Sequence, residues 1–114
     1  PSAQILAESE ISTGVVIEPN SYVGYRAEVG EGTHVHAGSQ LDHHSVLKPY
    51  VTVNPGVILA GNVLIGSHSQ LNMGALVSNR IELGDFTVVG AGSTVLESFP
   101  LGHVRLLGTP ARPG

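Results

Sequence analysis

Two adjacent histidines, His43 and His44, stand in the stretch LDHHSV at positions 41–46. Imidazole changes its charge near neutral pH, so a histidine can take a proton from a sugar hydroxyl or an amine as that group attacks a thioester. This chemistry needs no covalent intermediate on the protein. The simpler alternative is that His44 only occupies a left-handed corner of the backbone, which histidine tolerates, and that His43 is merely exposed.

The composition excludes several other kinds of chemistry. The 114 residues include no cysteine, which rules out a disulfide framework, a thiolate nucleophile and the usual structural zinc sites. The net charge of −4 offers no positive surface for nucleic acid or anionic lipid. No apolar run or leader pattern indicates a membrane or a secretory protein. We therefore expect one cytoplasmic domain with no nucleic-acid or membrane partner, and a processed or trimmed start, since the chain begins at Pro1.

An aliphatic residue recurs every six positions from Ile5 to Val95, at all sixteen positions. Four residues after these positions the side chain is small or β-branched, and Ile81 is the only bulky one. An α-helix cannot hold this period, whereas short strands with two inward positions each can. The sequence predicts an all-β parallel solenoid over residues 1–98, followed by a C-terminal extension over residues 99–114.

Corners between the strands are indicated by pairs whose second residue is glycine or asparagine, the residues that accept a positive φ. These pairs are Pro19-Asn20, Glu31-Gly32, Ala37-Gly38, Pro55-Gly56, Gly61-Asn62, Met73-Gly74 and Ala91-Gly92. Each hexapeptide is then one strand plus one corner, and three of them close a triangular coil of about eighteen residues. About five such coils, stacked about 4.8 Å apart, predict a prism about 25 Å long.

A coil of this length places particular residues beside the histidine pair. Gly61 and Asn62 lie one coil after it, and Tyr25 and Arg26 lie one coil before it. A glycine at that place removes the side chain that would crowd His43. We therefore expect the imidazole to project outward beside bare backbone, in a slot at one edge of the prism.

The repeat resembles the hexapeptide-repeat, left-handed β-helix acyltransferases over nearly the whole chain. The stretch LDHHSVLKPYVTVNPGVILAGNVLIG looks like a region of the sialic acid O-acetyltransferase and bacillosamine or perosamine N-acetyltransferase family. The end of the chain, VVGAGSTVLESFPLGHVRLLGTPARPG, is similar to the closing signature of hexapeptide acyltransferases. The resemblance implies a left-handed β-helix and a homotrimer. It also implies acetyl-CoA as co-substrate, and we expect no metal cofactor.

The resemblance also implies roles for single residues, carried over by position. His43 matches the catalytic base, and Gly61 matches a residue whose backbone lines the acetyl-CoA groove. His44 stands where an acidic residue normally orients that base. Asp42 is not expected to take over this task, because adjacent strand residues point to opposite faces. Thr52 falls where family members often carry a histidine near the thioester.

Four further residues are assigned to the coenzyme on the same resemblance: Asn62, Met73, Ala91 and Arg112. The corner at positions 90–92 is small enough for pantetheine to approach the backbone, and Arg112 matches a basic residue that can meet the CoA phosphates. The alternative for these positions is a plain corner and a frayed C-terminal tail.

The leading hypothesis is a homotrimeric, acetyl-CoA-dependent N- or O-acetyltransferase acting on an amino sugar or sugar, which is nucleotide-linked in related enzymes. Catalysis is assigned to His43 and His44, with CoA lying between neighbouring prisms. Related enzymes usually carry an N-terminal nucleotide-binding domain, whereas this sequence starts directly with the repeats. Either that domain has been separated from the solenoid, or the protein works without it.

Two alternatives stay open. A noncatalytic trimeric scaffold or binding module is one, since the acidic partner of His43 is missing. A metal enzyme similar to the γ-class carbonic anhydrases is the other, although no two histidines here have the five-residue spacing of that class. The remaining histidines His34, His36 and His68 are interpreted as exposed, passive strand or corner residues.

Overall fold

A computed structural model describes residues 2–114, and Pro1 lies outside the described residues. Within this range no helix is long and apolar enough to cross a membrane. The strands, in chain order, are β1 (Gln4–Ile5), β2 (Glu10–Ile11), β3 (Val16–Ile17), β4 (Tyr22–Val23), β5 (Glu28–Val29), β6 (His34–Val35), β7 (Gln40–Leu41), β8 (Val46–Leu47), β9 (Thr52–Val53), β10 (Ile58–Leu59), β11 (Leu64–Ile65), β12 (Gln70–Leu71), β13 (Leu76–Val77), β14 (Glu82–Leu83), β15 (Val88–Val89), β16 (Thr94–Val95), β17 (Arg105–Gly108) and β18 (Ala111–Pro113).

These strands form three sheets, which are the faces of a triangular prism. The first face contains β1, β4, β7, β10, β13 and β16, and the second contains β2, β5, β8, β11 and β14. The third contains β3, β6, β9, β12, β15, β17 and β18. Neighbouring hexapeptide strands are parallel and shifted by one coil, as the pairing of Leu59 with Val77 shows. The predicted all-β parallel β-helix is confirmed, and the arrangement agrees with the left hand.

The coils number about six rather than the predicted five. The hexapeptide strands β1 to β16 do not divide evenly among three faces, so the first face gains a sixth level. The antiparallel hairpin of β17 and β18 then extends the third face, and the longest dimension is 35 Å. Leu106 and Ala111 of this hairpin are buried, whereas Ile5 and Ile11 at the opposite end are exposed. The hairpin therefore covers the C-terminal end of the core.

The core consists of the aliphatic residue of each repeat and the small residue four positions later. Every aliphatic member from Val23 to Val95 is buried, and so is every small member from Ser21 to Ser93. Buried hydroxyls bond to the backbone, as when Ser45 Oγ donates to the carbonyl oxygen of Ala60 at 3.0 Å. Among residues 2–114 no buried side-chain nitrogen or oxygen lacks a partner. The core is thus complete without the outward-facing side chains, and these side chains can form functional sites.

A residue with positive φ stands at every sixth position from Glu8 to Gly92 and turns the chain at each corner. All seven glycines and asparagines predicted for this role have a positive φ. So does His44, at 59°. The sequence carried no such signal at six other corners, which are occupied by Glu8, Arg26, Tyr50, His68, Arg80 and Phe86, and Gly14 occupies the remaining one. An L-residue in this conformation costs about 1 kcal/mol, and the hydrogen-bonded strands on either side offset that cost.

Each edge of the prism has its own side chains. The histidine edge, between the first and second faces, carries Tyr25, Arg26, His43, His44, Gly61 and Asn62. The aromatic edge, between the second and third faces, carries Tyr50, His68, Phe86 and His103, whose rings stack in sequence. The glycine edge, between the third and first faces, carries Ala37-Gly38, Pro55-Gly56, Met73-Gly74 and Ala91-Gly92.

Candidate functional site

His43 lies at the histidine edge, two residues after the end of β7, and its imidazole is directed along the edge toward the next coil. A Cβ atom added to Gly61 would lie 2.6 Å from both Cε1 and Nε2 of this ring. Any side chain larger than hydrogen would therefore displace the ring, which is why a glycine is needed at this place. The expected juxtaposition of His43 with the bare backbone of Gly61 is confirmed, and we call this place the slot.

His44 makes a second contact with the His43 ring. The two Nδ1 atoms are 3.2 Å apart, and the rings meet nearly at right angles. At this distance one Nδ1 donates a hydrogen and the other accepts it. Adjacent side chains on a strand diverge, but the left-handed backbone at His44 turns the two rings toward each other. When Nδ1 of His43 is the donor, its Nε2 carries no hydrogen and is the ring nitrogen that can take a proton from a substrate.

The neighbours of the histidine pair hold the corner in place. Asp42 accepts a hydrogen bond from the backbone N–H of His43 through Oδ1 at 2.7 Å, so its carboxylate is bonded to the backbone and not to the ring. The Tyr25 ring meets the His44 ring edge to face at a centroid distance of 5.8 Å. The Tyr25 hydroxyl in turn donates to Glu8 at 3.3 Å. His44 is therefore packed between the ring of Tyr25 and the ring of His43.

The histidine edge brings together four of the residues predicted for the site. They are His43, His44, Gly61 and Asn62, and the backbone N–H of Asn62 donates to the carbonyl oxygen of His43 at 3.0 Å. This bond continues the ladder across the corner and fixes the distance between the imidazole and the next coil.

The other predicted residues lie elsewhere on the prism. Thr52 belongs to β9 on the third face, while Met73 and Ala91 are exposed on successive coils of the glycine edge. Arg112, in the C-terminal hairpin, has its Nη1 4.0 Å from Glu97 Oε1. A single chain therefore does not bring these residues to His43. Their coenzyme roles remain predictions.

The corner at positions 90–92 has two parts with different surroundings. Gly90 is buried, and a Cβ there would collide with Leu107 of the C-terminal hairpin. Ala91 and Gly92 are exposed, and a Cβ at Gly92 would meet nothing within 4 Å. The small residue at position 90 thus accommodates the hairpin, and only the next two positions face open space.

A second cluster of ionisable side chains lies on the third face. The Oε2 atom of Glu18 is 2.7 Å from Nε2 of His34 and 3.3 Å from Nδ1 of His36. The two imidazoles stack with a centroid distance of 3.8 Å. The hydrogen bond with His34 is the main reason that the pKa of Glu18 lies below its usual value, and the backbone N–H of Ala37 contributes to this lowering.

The prediction that His34 and His36 are simply exposed is wrong, because both are partly buried and both face Glu18. His68 is exposed, as predicted. The sequence did contain a signal for the cluster. Two histidines that flank one inward residue share a face, and one coil earlier the position beside His36 holds an acidic residue.

We expect Gly61→Ala to fold normally and to displace the His43 ring. Gly61 does not have a positive φ, so its backbone accepts alanine, and an exposed ring can rotate away at a cost below about 1 kcal/mol. In NMR spectra of the histidine rings, the signals of His43 and His44 should shift, while those of His68 and His103 at the aromatic edge stay in place. An unchanged His43 signal would show that the ring does not occupy the slot.

Two acetyltransferases of known structure are similar to this chain. A histidine-to-asparagine variant of perosamine N-acetyltransferase from Caulobacter crescentus, in complex with CoA and GDP-perosamine, is 27% identical, with a TM-score of 0.97 over 100% of this chain and 54% of that chain. The acetyltransferase domain of PglB from Neisseria gonorrhoeae, in complex with acetyl coenzyme A, is 28% identical, with a TM-score of 0.96 over 100% of this chain and 55% of that chain.

A hexapeptide transferase family protein from Anaplasma phagocytophilum shares the fold, with 19% identity and a TM-score of 0.69 over 98% of this chain and 77% of that chain. No family model matches the chain, and no curated protein matches it in sequence. The chain spans about half the length of the two acetyltransferases that it resembles. The resemblance to the hexapeptide-repeat acetyltransferases is thus confirmed, and this chain is similar over its full length to the perosamine N-acetyltransferase and to the acetyltransferase domain of PglB.

Proposed function

We propose that this chain is the acetyl-transfer part of an acetyl-CoA-dependent N-acetyltransferase whose acceptor is the amino group of a sugar. The observation that carries the proposal is the His43 imidazole, seated over Gly61 at an exposed edge with its Nε2 atom uncommitted. The similar structures support it, because they are acetyltransferases in complex with CoA or acetyl coenzyme A. One of them also contains a nucleotide-linked amino sugar, GDP-perosamine.

His43 acts in this proposal as a general base. The lone pair of the acceptor nitrogen attacks the thioester carbonyl carbon, and Nε2 of His43 takes the proton that this nitrogen must lose. The carbon–sulfur bond then breaks, an amide forms, and the proton passes from His43 to the departing thiolate, which leaves as the thiol of CoA. The ring returns to its neutral form, so no net proton stays on the protein.

His44 supplies the orientation that this reaction requires. When Nδ1–H of His43 donates to Nδ1 of His44, the unprotonated nitrogen of His43 is Nε2, the atom in the slot. A neutral imidazole accepts this hydrogen bond as a carboxylate would, but without a negative charge that stabilises the imidazolium. In this proposal His44 carries its own hydrogen on Nε2, so its Nδ1 is an acceptor and His44 is a positioning residue that holds His43 in this tautomer.

The glycine edge is the surface that we assign to the coenzyme. Added Cβ atoms at Gly38, Gly74 and Gly92 would meet nothing within 4 Å, so the backbone along this edge is open to an extended ligand. Met73 and Ala91 are the exposed side chains beside it. In this proposal the thioester of acetyl-CoA comes to lie beside a histidine edge, with Arg112 near the phosphates.

The histidine edge and the glycine edge are different edges of one prism, so a complete site requires two chains. We propose a homotrimer in which the histidine edge of one chain faces the glycine edge of its neighbour. Cyclic symmetry repeats this contact around the ring and gives equivalent sites between the chains. A noncatalytic scaffold would share this shape, and only turnover separates the two functions.

Complementation between two inactive variants tests the shared site. His43→Asn removes the base and should lower the rate of CoA thiol release, with GDP-perosamine as acceptor, by about 10²–10⁴-fold. Ala91→Phe should block the coenzyme at the glycine edge and leave His43 intact. Every mixed trimer holds one interface in which an intact histidine edge of one chain faces an intact glycine edge of its neighbour. An equal mixture of the two variants, refolded together, should therefore recover about a quarter of the wild-type rate.

Each variant refolded alone is the control and should stay inactive. No recovery in a mixture that forms mixed trimers would contradict the shared site. A wild-type protein that binds CoA and trimerises, but releases no thiol with any amino sugar, would favour the scaffold.

The pH dependence of the rate tests the role of His44. His44→Glu introduces a carboxylate that favours the imidazolium form of His43, so the acid limb of kcat/KM should move to higher pH. The backbone tolerates this change, because Glu8 occupies the equivalent corner with a φ of 60°. His44→Asn is the matched control: Asn62 has the same backbone conformation, and the neutral amide should leave the acid limb in place. Equal profiles for the two variants would show that the residue at position 44 does not act on His43.

A further inference from the structure

The proposed acetyl transfer does not use Glu18, His34 and His36 on the third face, and these residues form the strongest second cluster of ligand groups in the described part of the chain. The backbone register brings them together. His34 and His36 flank the inward residue Val35, and β3 pairs in parallel with β6 so that Ile17 faces Val35. Glu18 therefore comes to lie beside His36, one coil earlier on the same outward surface.

We propose that Glu18, His34 and His36 form a binding site for one divalent transition-metal ion such as Zn²⁺. The ligand atoms would be Oε2 of Glu18, Nε2 of His34 and Nδ1 of His36, which all lie within 4.8 Å of one another. Two of the separations are 2.7 and 3.3 Å. Ligands of a tetrahedral ion with bonds of about 2.0–2.1 Å are about 3.3 Å apart, so small side-chain movements suffice to admit the ion.

The orientation of the carboxylate favours this role. Oε1 of Glu18 accepts a hydrogen bond from the backbone N–H of Ala37 at 3.1 Å, which leaves Oε2 directed at the two imidazoles. Groups that hold a ligating carboxylate in this way raise the affinity of metal sites. Without a metal ion an imidazole N–H donates to Oε2, as at His34, whereas a metal ion contacts all three ligand atoms together.

The type of ion follows from the ligand set and its surroundings. Two imidazole nitrogens and one carboxylate oxygen suit Zn²⁺, Co²⁺, Ni²⁺ or Cu²⁺, whereas Mg²⁺ and Ca²⁺ prefer oxygen ligands alone. The side chains of His34, Glu18 and His36 are 37%, 34% and 28% exposed, so an ion can enter from solvent and water can complete its coordination.

Calorimetric titration of the chelator-treated protein with Zn²⁺ tests the site, and Co²⁺ absorption reports the ligand geometry. We expect one ion per chain and a rise in the thermal midpoint when Zn²⁺ is added, since a ligand that binds the folded state stabilises it. His36→Asn and Glu18→Gln should each weaken binding by more than about 10-fold. Absence of Zn²⁺ uptake at one ion per chain would overturn the proposal.

A matched control separates this site from the other histidines. A variant with His43→Asn, His44→Asn, His68→Asn and His103→Asn retains the cluster and should bind Zn²⁺ with unchanged stoichiometry and affinity. These four positions have a positive φ or an exposed ring at an edge, so asparagine is compatible with their surroundings. Loss of the ion in this variant, with retention in His36→Asn, would place the metal at other histidines and overturn the assignment.

Discussion

The register between neighbouring coils is the constraint on which the rest of this structure depends. From β1 to β13 the N–H at the start of each strand donates to a carbonyl oxygen on the next coil, as from Gln40 to Val57 and from Ile58 to Ala75, at 2.8 and 3.0 Å. The hexapeptide strands β1 to β16 have only two residues each, so the ladder forms only if successive coils have the same length. A slip of one residue would turn the buried aliphatic side chains outward. Burial of the aliphatic side chains therefore requires coils of constant length, and a constant coil length keeps these side chains in the core.

This constraint turns positions that are distant in the sequence into neighbours. Residues one coil apart are stacked, so His43 comes to lie over Gly61 and His36 beside Glu18. The buried positions are repetitive and carry no chemistry of their own. Differences between coils are found on the outward positions and at the corners, and both clusters of ionisable groups occur there. The same scaffold can thus present two imidazoles at one edge, an open backbone at another, and a carboxylate beside two imidazoles on a face.

The fold was predictable because its signal is repetitive. The aliphatic period and the glycine and asparagine corners each recur many times, so the buried positions and most turns followed from the sequence. The corners at Tyr50 and Phe86 gave no such signal, because there the left-handed conformation is imposed by the strands on both sides and not by the residue itself. The number of coils was one too low because the strands do not divide evenly among the faces.

The candidate site was predictable only in part, for reasons of side-chain geometry. Coil length alone placed Gly61 beside His43. The contact between the Nδ1 atoms of His43 and His44 depends on the backbone conformation of one corner and on two rotamers, which the sequence does not reveal. The group of Glu18, His34 and His36 could have been found by comparing residues one coil apart, but its hydrogen bonds required the structure.

A crystal structure of the protein with bound CoA would test the central claim most directly, since the terminal sulfur marks the place where the acyl group is transferred. The account predicts that this sulfur lies beside Nε2 of His43, in a cleft formed by the histidine edge of one chain and the glycine edge of another. A sulfur bound far from the slot, or a His43 ring turned away from any cleft between chains, would contradict it.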